Sequence, residues 1–354
     1  MAFEPIAVGE VVIEEIDLKA LPEEDVLRLN QYGNLFRAER NPEDPPRPVE
    51  LTRASLENIP PFIFVREFWA RDPDGSIAAS AEVSYLKADE NKHLVEAGIN
   101  VRADRRRRGI AKALLRIVAD VTREERRTLI MSGTSERIPA GDAFARAVGA
   151  DPGLANHVNR LLLSDLDADL MRRWIKEGPE RAAGYRLDPL DGPYPDERIE
   201  AIVDMHAVMN TAPRDDLDME DWNFTVEHAR DWEKSMKASG DERWSLFAIE
   251  DATGTIAGFT EVLWNPKMPK IVHQLGTGVR PEHRGRALGK WLKAAMIERV
   301  LAERPDADQI RTGNADSNDA MLSINDQLGF KRFEASMVWQ VPLEKVDAYL
   351  ASIA

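Results

Sequence analysis

Two short loops of similar composition recur along this chain, and their spacing limits the folds open to it. The first, at residues 101–111, contains a run of four arginines before a glycine, and the second, at residues 279–289, contains three arginines and two glycines. Arg106 and Arg284 lie 178 positions apart (284 − 106), as do the valines that open the loops. Because half of the 354 residues is 177, the spacing predicts two like domains in tandem and is too long for a solenoid repeat.

The segments around the loops predict a mixed α/β fold. Each loop follows a strand-like segment and opens a helix-like one, and Glu82 and Glu261 end comparable earlier strands. Strand and helix patterns then alternate through both halves. We expect a helix from Asp165 that ends at Gly178-Pro179, because proline disrupts a helix interior. The predicted organisation is an N-terminal domain at 1–164, a linker helix at 165–184 and a C-terminal domain at 185–354.

Composition narrows the classes of function. The chain has no cysteine, which excludes disulfides, thiolate metal sites and a cysteine nucleophile. The formal net charge of −15 argues against nucleic acid and favours cationic ligands, although acidity can also serve solubility alone. No apolar run reaches the roughly 20 residues that cross a bilayer. We expect a cytoplasmic protein, monomeric or homodimeric, with no metal and no membrane or nucleic-acid partner.

The second loop has the composition of an anion-binding turn. Small residues let several backbone N–H groups point one way at the start of a helix, where the helix dipole also favours negative charge. The side chain of Arg284 or Arg286 would add a charge-assisted contact. We therefore predict a pyrophosphate cradle. Its residues are Arg284, Gly285, Arg286, Ala287, Leu288, Gly289 and Lys290.

The spacing of these residues resembles a family signature. Residues 284–289, Arg-x-x-Ala-x-Gly, are close to the Arg/Gln-x-x-Gly-x-Gly/Ala pattern of the GNAT superfamily of acyl-CoA-dependent N-acyltransferases, and residues 106–111 fit that pattern in full. Residues 314–318 and the Leu-Gly-Phe at 328–330 resemble the closing half of the same family's core. The resemblance implies acetyl-CoA as co-substrate and direct transfer of its acetyl group to an amine.

The resemblance also assigns the cofactor arm. In this family the strand before the cradle separates from its neighbour, and its free backbone groups hold the pantetheine and polarise the thioester. Here those positions are Thr277, Gly278 and Val279; an ordinary buried strand is the alternative. Asn314 and Asn318 are expected to contact the arm or the acceptor, or to cap the helix that follows.

An amine acceptor must lose a proton before it attacks, so the chemistry needs a base. Related enzymes often carry a glutamate six residues before the position of Val279, where this chain has His273. Glu261, on the preceding strand, is the second candidate. A strand histidine can equally be structural, and the glutamate can equally face solvent or pair with an arginine.

The family often places a tyrosine three residues before the Leu-Gly-Phe to protonate the leaving thiolate. This chain has Asn325 there, which can donate a hydrogen bond but not act as an acid. In the first domain, Phe144 to Ala150 offers no polar group at the matching place, and Val95 aligns with His273. We therefore expect a non-catalytic first domain, which could still bind CoA, and an active second domain.

The expected function is acetylation of a primary amine of a small molecule, cationic at neutral pH. The acidic loop at 215–221 is predicted to border the acceptor site. The tandem type with an active second half resembles the mycothiol synthases, which acetylate a cysteinyl amine. A catalytically silent acyl-CoA-binding or regulatory protein is the other alternative, favoured by Ala287 and Asn325.

Overall fold

The computed structural model describes residues 3–352, and the chain within them forms two compact units. The first unit contains the residues up to Ala155, Asp215–Glu220 and those from Ser336 onward. The second contains Asn156–Arg214 and Asp221–Ala335. Each unit is a mixed sheet with helices on both faces, as the sequence predicts.

The first half of the chain supplies seven strands and four helices. They are β1 (Ile6–Val8), β2 (Val11–Ile16), α1 (Glu23–Arg40), α2 (Val49–Glu57), β3 (Ile63–Arg71), β4 (Ile77–Leu86), β5 (Leu94–Val101), α3 (Ile110–Glu124), β6 (Leu129–Ser135), α4 (Pro139–Val148) and β7 (Asp151–Leu162). The second half repeats the order. Its elements are α5 (Ala168–Arg181), β8 (Tyr185–Asp191), α6 (Ile199–His206), α7 (Val226–Ser239), β9 (Glu242–Glu250), β10 (Ile256–Trp264), β11 (Ile271–Val279), α8 (Leu288–Glu303), β12 (Gln309–Ala315), α9 (Asp319–Leu328), β13 (Lys331–Pro342) and α10 (Leu343–Ser352).

The two sheets share one topology, to which the first unit adds β1 at its outer edge. In the first unit the order is β1-β2-β3-β4-β5-β6, followed by residues 336–342 of β13. In the second it is β8-β9-β10-β11-β12, followed by residues 156–162 of β7. In both, one parallel pair, β5 with β6 or β11 with β12, interrupts otherwise antiparallel pairing. The closing strand of each sheet therefore comes from the other half of the chain, and the unit boundaries differ from the predicted ones at 164 and 185.

Helix α8 packs on one face of the second sheet because its apolar residues recur every four positions. Leu288, Leu292, Met296 and Val300 are all buried in one cluster with strand residues of β10 to β12. Helices α6 and α7 cover the opposite face, around Phe259. This places the start of α8 at the end of β11, so the second loop lies at the edge of a packed core.

The segment expected to be a linker is instead part of the second unit's core. Helix α5 buries Met171 and Trp174 against α8 and α9. The two helices approach closely at Gly178, where an added Cβ would lie 2.5 Å from the indole of Trp291. The prediction that the helix ends at Gly178-Pro179 is wrong: it continues to Arg181, because this packing outweighs the single backbone donor that Pro179 removes.

The acidic loop belongs to the first unit. Leu217 and Met219, which alternate with its acidic residues, pack against a small apolar cluster on β5, β6 and β13. The Glu220 carboxylate accepts a hydrogen bond of 2.6 Å from the backbone N–H of Asn91. The prediction that residues 215–221 belong to the C-terminal domain is therefore wrong for Asp215–Glu220, because Leu217 and Met219 anchor this segment in the first unit. That the loop borders the acceptor site stays a prediction. Within residues 3–352 the structure contains no helix with the length and apolarity that a membrane span requires.

Candidate functional site

Strands β11 and β12 of the second unit separate soon after they meet. Among the described residues their parallel pairing covers Ile271, Val272 and His273 only, although β11 continues to Val279. On its other edge β11 carries a bulge: the register with β10 shifts so that Leu275 and Gly276 lie opposite Glu261. Bulges bend a strand and increase its twist. The result is an opening beyond His273 lined by strand backbone that β12 does not pair.

The first unit has the same separation without the bulge. Strands β5 and β6 pair at Leu94, Val95 and Glu96, while β4 and β5 pair in continuous register. Because β11 contains one extra residue, Glu96, not Val95, occupies the register position of His273. The sequence alignment of Val95 with His273 is therefore wrong. Glu96 is exposed, and partial loss of hydration together with the nearby Glu82 carboxylate raises its pKa. The first unit therefore keeps a titratable group at this position.

The two loops have the same backbone conformation. Gly285 and Ala287 have φ angles of +79° and +60°, and the residues 178 positions earlier, Arg107 and Gly109, have +63° and +84°. In both loops the arginine before this pair donates from Nε, over 3.0 Å, to the carbonyl of the valine that ends the strand. Two left-handed residues at a helix N-terminus orient successive N–H groups to one side, which makes an anion-binding concavity. For Ala287 this conformation costs about 1 kcal/mol.

The arginines of the two loops differ in their second contact. In the second unit, Arg284 Nη2 donates to the Thr211 hydroxyl over 2.9 Å. In the first unit, both terminal nitrogens of Arg106 bind the Glu39 carboxylate, at 2.7 and 2.6 Å. A carboxylate bound at the first loop opposes an anion there, whereas the second loop keeps its positive charge.

The remaining residues predicted for the cofactor lie around the second loop. The Thr277 and Thr260 hydroxyls are 2.8 Å apart, and a Cβ on Gly278 would lie 2.4 Å from Val208. Leu288 is buried under the first turn of α8, beside Gly289. The charged members are Arg286, 5.7 Å from the Tyr185 ring centre, and Lys290, whose Nζ donates to Gln327 over 3.1 Å.

Glu261 lies in a buried polar cluster on the sheet face that α6 and α7 cover. Its Oε1 accepts hydrogen bonds from the hydroxyls of Tyr194, at 2.7 Å, and Ser245. His206 Nε2 lies 3.7 Å from Oε2 and 3.0 Å from the Tyr194 hydroxyl oxygen. Burial lowers the pKa of His206 and raises that of Tyr194, which favours the neutral form of both near pH 7. One carboxyl group is thus surrounded by neutral donors.

His273 lies on the same sheet face as Glu261. It is exposed and directly opposite Leu263, which is two residues after Glu261 on β10. Side chains two apart on a strand share a face, and diagonal cross-strand neighbours lie roughly 7–8 Å apart. The structure therefore brings the two candidate bases to adjoining positions beside the bulge, one exposed and one buried.

A buried polar chain runs along the other face of the opening. Lys293 Nζ donates to Asn325 Oδ1 over 2.6 Å, and Asn325 Nδ2 donates to Asn314 Oδ1 over 2.9 Å. Asn159 of β7 donates to the same Asn314 oxygen over 3.3 Å. Burial lowers the pKa of Lys293 to about 7. The side chain of Asn318 instead accepts from the Met321 N–H and caps α9, which is the alternative that the sequence left open.

The positions of the first unit that correspond to Lys293 and Asn325, both within the described residues, are apolar. The residue 178 positions before Lys293 is Leu115, which is buried in the apolar core. In α4, Ala145 precedes the terminal glycine by the same four residues as Asn325 does in α9. The buried lysine and its amide partner are therefore specific to the second unit.

Three residues of this site escape sequence reasoning: Tyr194, His206 and Lys293. None belongs to a motif, and each acquires its partner through tertiary packing. A lysine among the apolar residues of α8 was the one available signal, since its position on the buried face can be read from the helical period.

Comparison with known proteins agrees with this geometry. Residues 29–149 and 210–330 each match the model of the acetyltransferase (GNAT) family. Over 112 residues the chain is 33% identical to the mycothiol acetyltransferase of Salinispora arenicola (strain CNS-205). That match covers 30% of this chain and 36% of the relative, so it spans about a third of the relative's length.

Solved structures resemble the chain over nearly its whole length. A tandem GNAT protein from the clavulanic acid biosynthesis pathway has a TM-score of 0.77 at 27% identity, covering 94% of this chain and 98% of its own. A GCN5-related N-acetyltransferase from Sphaerobacter thermophilus has a TM-score of 0.64 at 13% identity, with 94% and 96% covered. The second shows a shared fold alone.

Proposed function

We propose, from the premise that this chain belongs to the acetyltransferase (GNAT) family, that it is an acetyl-CoA-dependent N-acetyltransferase acting on a primary amine of a small molecule. The reaction is assigned to the second unit. The observation that carries the proposal is the opening between β11 and β12, with its bulge, directly followed by the left-handed turn at Gly285 and Ala287.

The residues of the turn and of the opening in the second unit are suited to binding acetyl-CoA. The turn offers backbone N–H groups and the Arg284 charge to a pyrophosphate, and the backbone of Thr277, Gly278 and Val279 lies beside the opening, where it can bind an amide-containing arm. Bound there, acetyl-CoA supplies an acetyl thioester, whose carbonyl carbon the amine attacks with release of the CoA thiol. Fixed backbone donors at the carbonyl oxygen would stabilise the charge that develops on it.

Three differences favour the second unit over the first. The Arg106 charge is neutralised by Glu39, whereas Arg284 binds a neutral hydroxyl. The bulge occurs in β11 and not in β5. The chain of Lys293 and Asn325 has only apolar counterparts in the first unit.

Two side chains are assigned to the amine. His273 is the proton acceptor, because it is exposed beside the opening and imidazole is the side chain suited to proton transfer near neutral pH. Glu261 is buried and already accepts two hydrogen bonds, so its role is to attract the cationic amine electrostatically. On the opposite face Asn325, oriented by Lys293, donates a hydrogen bond to the departing sulfur, which water then protonates.

A second candidate is acetylation of a cysteinyl amine, as in a mycothiol synthase-type enzyme. The identity to the Salinispora arenicola mycothiol acetyltransferase favours it. Against it, this chain has Asn325 at the position where the family often has a tyrosine. The third candidate is a catalytically silent acyl-CoA-binding or regulatory protein.

A screen of small-molecule amines with acetyl-CoA, following thiol release, tests these proposals. Because the chain has no cysteine, a thiol reagent reports free CoA alone for acceptors that carry no thiol; for cysteinyl amines the acetylated product is measured by mass spectrometry instead. Amine-dependent release by the wild type that is lost in Arg284→Glu supports the proposed reaction. Binding of acetyl-CoA with no turnover of any amine, cysteinyl amines included, would favour the silent alternative.

A further inference from the structure

A cleft of about 340 Å³ lies in the second unit where α5 packs against α8 and α9. It adjoins the anion-binding turn, because Ala287 lines both. Its other lining residues come from α5 and from the first turns of α8 and the end of α9. They include Arg173, Trp174, Glu177, Arg181, Lys290 and Gln327.

The lining of the cleft is basic in a chain that is strongly acidic overall. Three of its residues are cations and one, Glu177, is an anion, which is bound by Arg181 at 2.8 Å. Arg173 makes no ion pair or hydrogen bond with any residue in the 3–352 range. Lys290 Nζ lies 4.7 Å from the Trp174 ring centre, over an aromatic side chain and without a carboxylate partner in that same range.

The packing of α5 does not require these charges. In the first unit α10 takes the equivalent place, packing on α3 and α4 after the closing strand. Its ten residues contain no arginine, and its one lysine, Lys345, is paired with Asp151 at 2.7 Å. Helix α5 also lies outside both segments that match the family model, so its arginines are a feature of this chain and not of the shared core.

We propose that this cleft binds the phosphorylated adenosine end of acetyl-CoA, with Arg173 contacting its 3′-phosphate and Lys290 at its entrance. The proposal rests on the proposed function. In acetyl-CoA the pyrophosphate joins the pantetheine arm on one side to an adenosine that carries a 3′-phosphate dianion on the other. If the pyrophosphate binds at the turn, the adenosine therefore lies close by. The cleft offers that end of the molecule an aromatic wall and an arginine without an anionic partner.

The test compares binding of acetyl-CoA and of its 3′-dephospho analogue by calorimetric titration. We expect the wild type to bind acetyl-CoA at least tenfold more tightly than the analogue, and Arg173→Gln to lose most of this preference by weakening acetyl-CoA alone. Arg172→Gln is the matched control, because Arg172 is the adjacent exposed arginine and pairs with Asp169 away from the cleft. It should keep the preference.

Equal affinity of the wild type for both molecules would overturn this inference and leave the proposed function standing. So would an unchanged preference in Arg173→Gln. Failure of the wild type to bind either molecule would overturn the proposed function together with the inference. Melting temperatures of both variants show that they are folded.

Discussion

The ammonium of Lys293 donates to the side-chain oxygen of Asn325 over 2.6 Å in a fully buried site. Within residues 3–352 no carboxylate forms an ion pair with it. Burial without a compensating charge lowers the pKa of this lysine to about 7. Burying a charge without an ionic partner costs stability, and perturbed lysines cluster at functional sites, so we expect Lys293 to serve the site.

The first prediction concerns stability against pH. Between the folded pKa of about 7 and the unfolded value near 10.4, the unfolded chain binds more protons at Lys293 than the folded chain does. The stability of the wild type relative to Lys293→Met should therefore rise with pH over this window, by at most about 1.4 kcal/mol per pH unit. Denaturant unfolding of both proteins at pH 7, 8 and 9 measures it. If the unfolding free energies of the two proteins change with pH in parallel, the pKa of Lys293 is not lowered by folding.

The second prediction concerns turnover. Replacing Lys293 with Leu and Asn325 with Ala copies the pair found in the first unit. The double variant should lose at least tenfold in kcat while the Kd for acetyl-CoA changes little, because the polar chain acts on the departing sulfur and not on the pyrophosphate. Steady-state rates and calorimetric titration separate the two quantities. Loss of cofactor affinity with normal kcat would assign the chain to binding.

The third prediction compares the two turns. Arg284→Glu should weaken acetyl-CoA binding by about a hundredfold and abolish turnover, since a charge-assisted contact becomes a repulsion. Arg106→Glu should leave turnover nearly intact. Titration and rate measurements on both variants decide the matter, with melting temperatures as the folding control. If a folded Arg106→Glu is inactive and Arg284→Glu is active, the chemistry belongs to the first unit.

The fourth prediction separates the two side chains assigned to the amine. Loss of a general base costs about 10²–10⁴ in rate, so His273→Gln should lower kcat and remove the acidic limb of the pH profile of kcat/KM. Glu261→Gln should mainly raise the KM for a cationic amine and keep that limb. Should the limb disappear in Glu261→Gln and persist in His273→Gln, the assignments are reversed.

The fifth prediction tests helix packing with two glycines. Gly178→Ala places a methyl group 2.5 Å from the Trp291 ring, so overpacking should destabilise the protein by about 1–3 kcal/mol. Gly33→Ala, in the middle of α1 with open space around its Cβ, should stabilise it by up to about 1 kcal/mol. Opposite shifts in Tm are the expected outcome. Equal shifts would mean that α5 can move away from α8.

The sequence predicts the local features of the site well and the tertiary ones poorly. The turns at Arg106 and Arg284 were recognisable because a helix-initiating loop is specified by consecutive residues. The partners of Glu261 could not be predicted, since Tyr194 and His206 reach it only after α6 packs on the sheet. One extra residue in β11 was enough to misalign Val95 with His273.

The same division applies to the fold. Strand and helix patterns predicted a duplicated α/β chain, and the family and structural matches confirm it. Periodicity says which residues form a strand but not which neighbour that strand joins. Periodicity therefore could not predict that β7 and β13 each close the sheet of the other half of the chain. Nor could it predict that α5 packs in the core of the second unit.

The closing strands also decide when each unit can finish folding during synthesis. The first unit needs residues from Ser336 onward to cover the edge of β6, and an uncovered edge strand is open to aggregation. The second unit is complete once Ala335 has emerged, apart from Asp215–Glu220, which belongs to the first. Domains usually fold in the order in which they are made. Here we expect the N-terminal unit to close last, so that a chain truncated before residue 336 would fold its second unit and leave its first one incomplete.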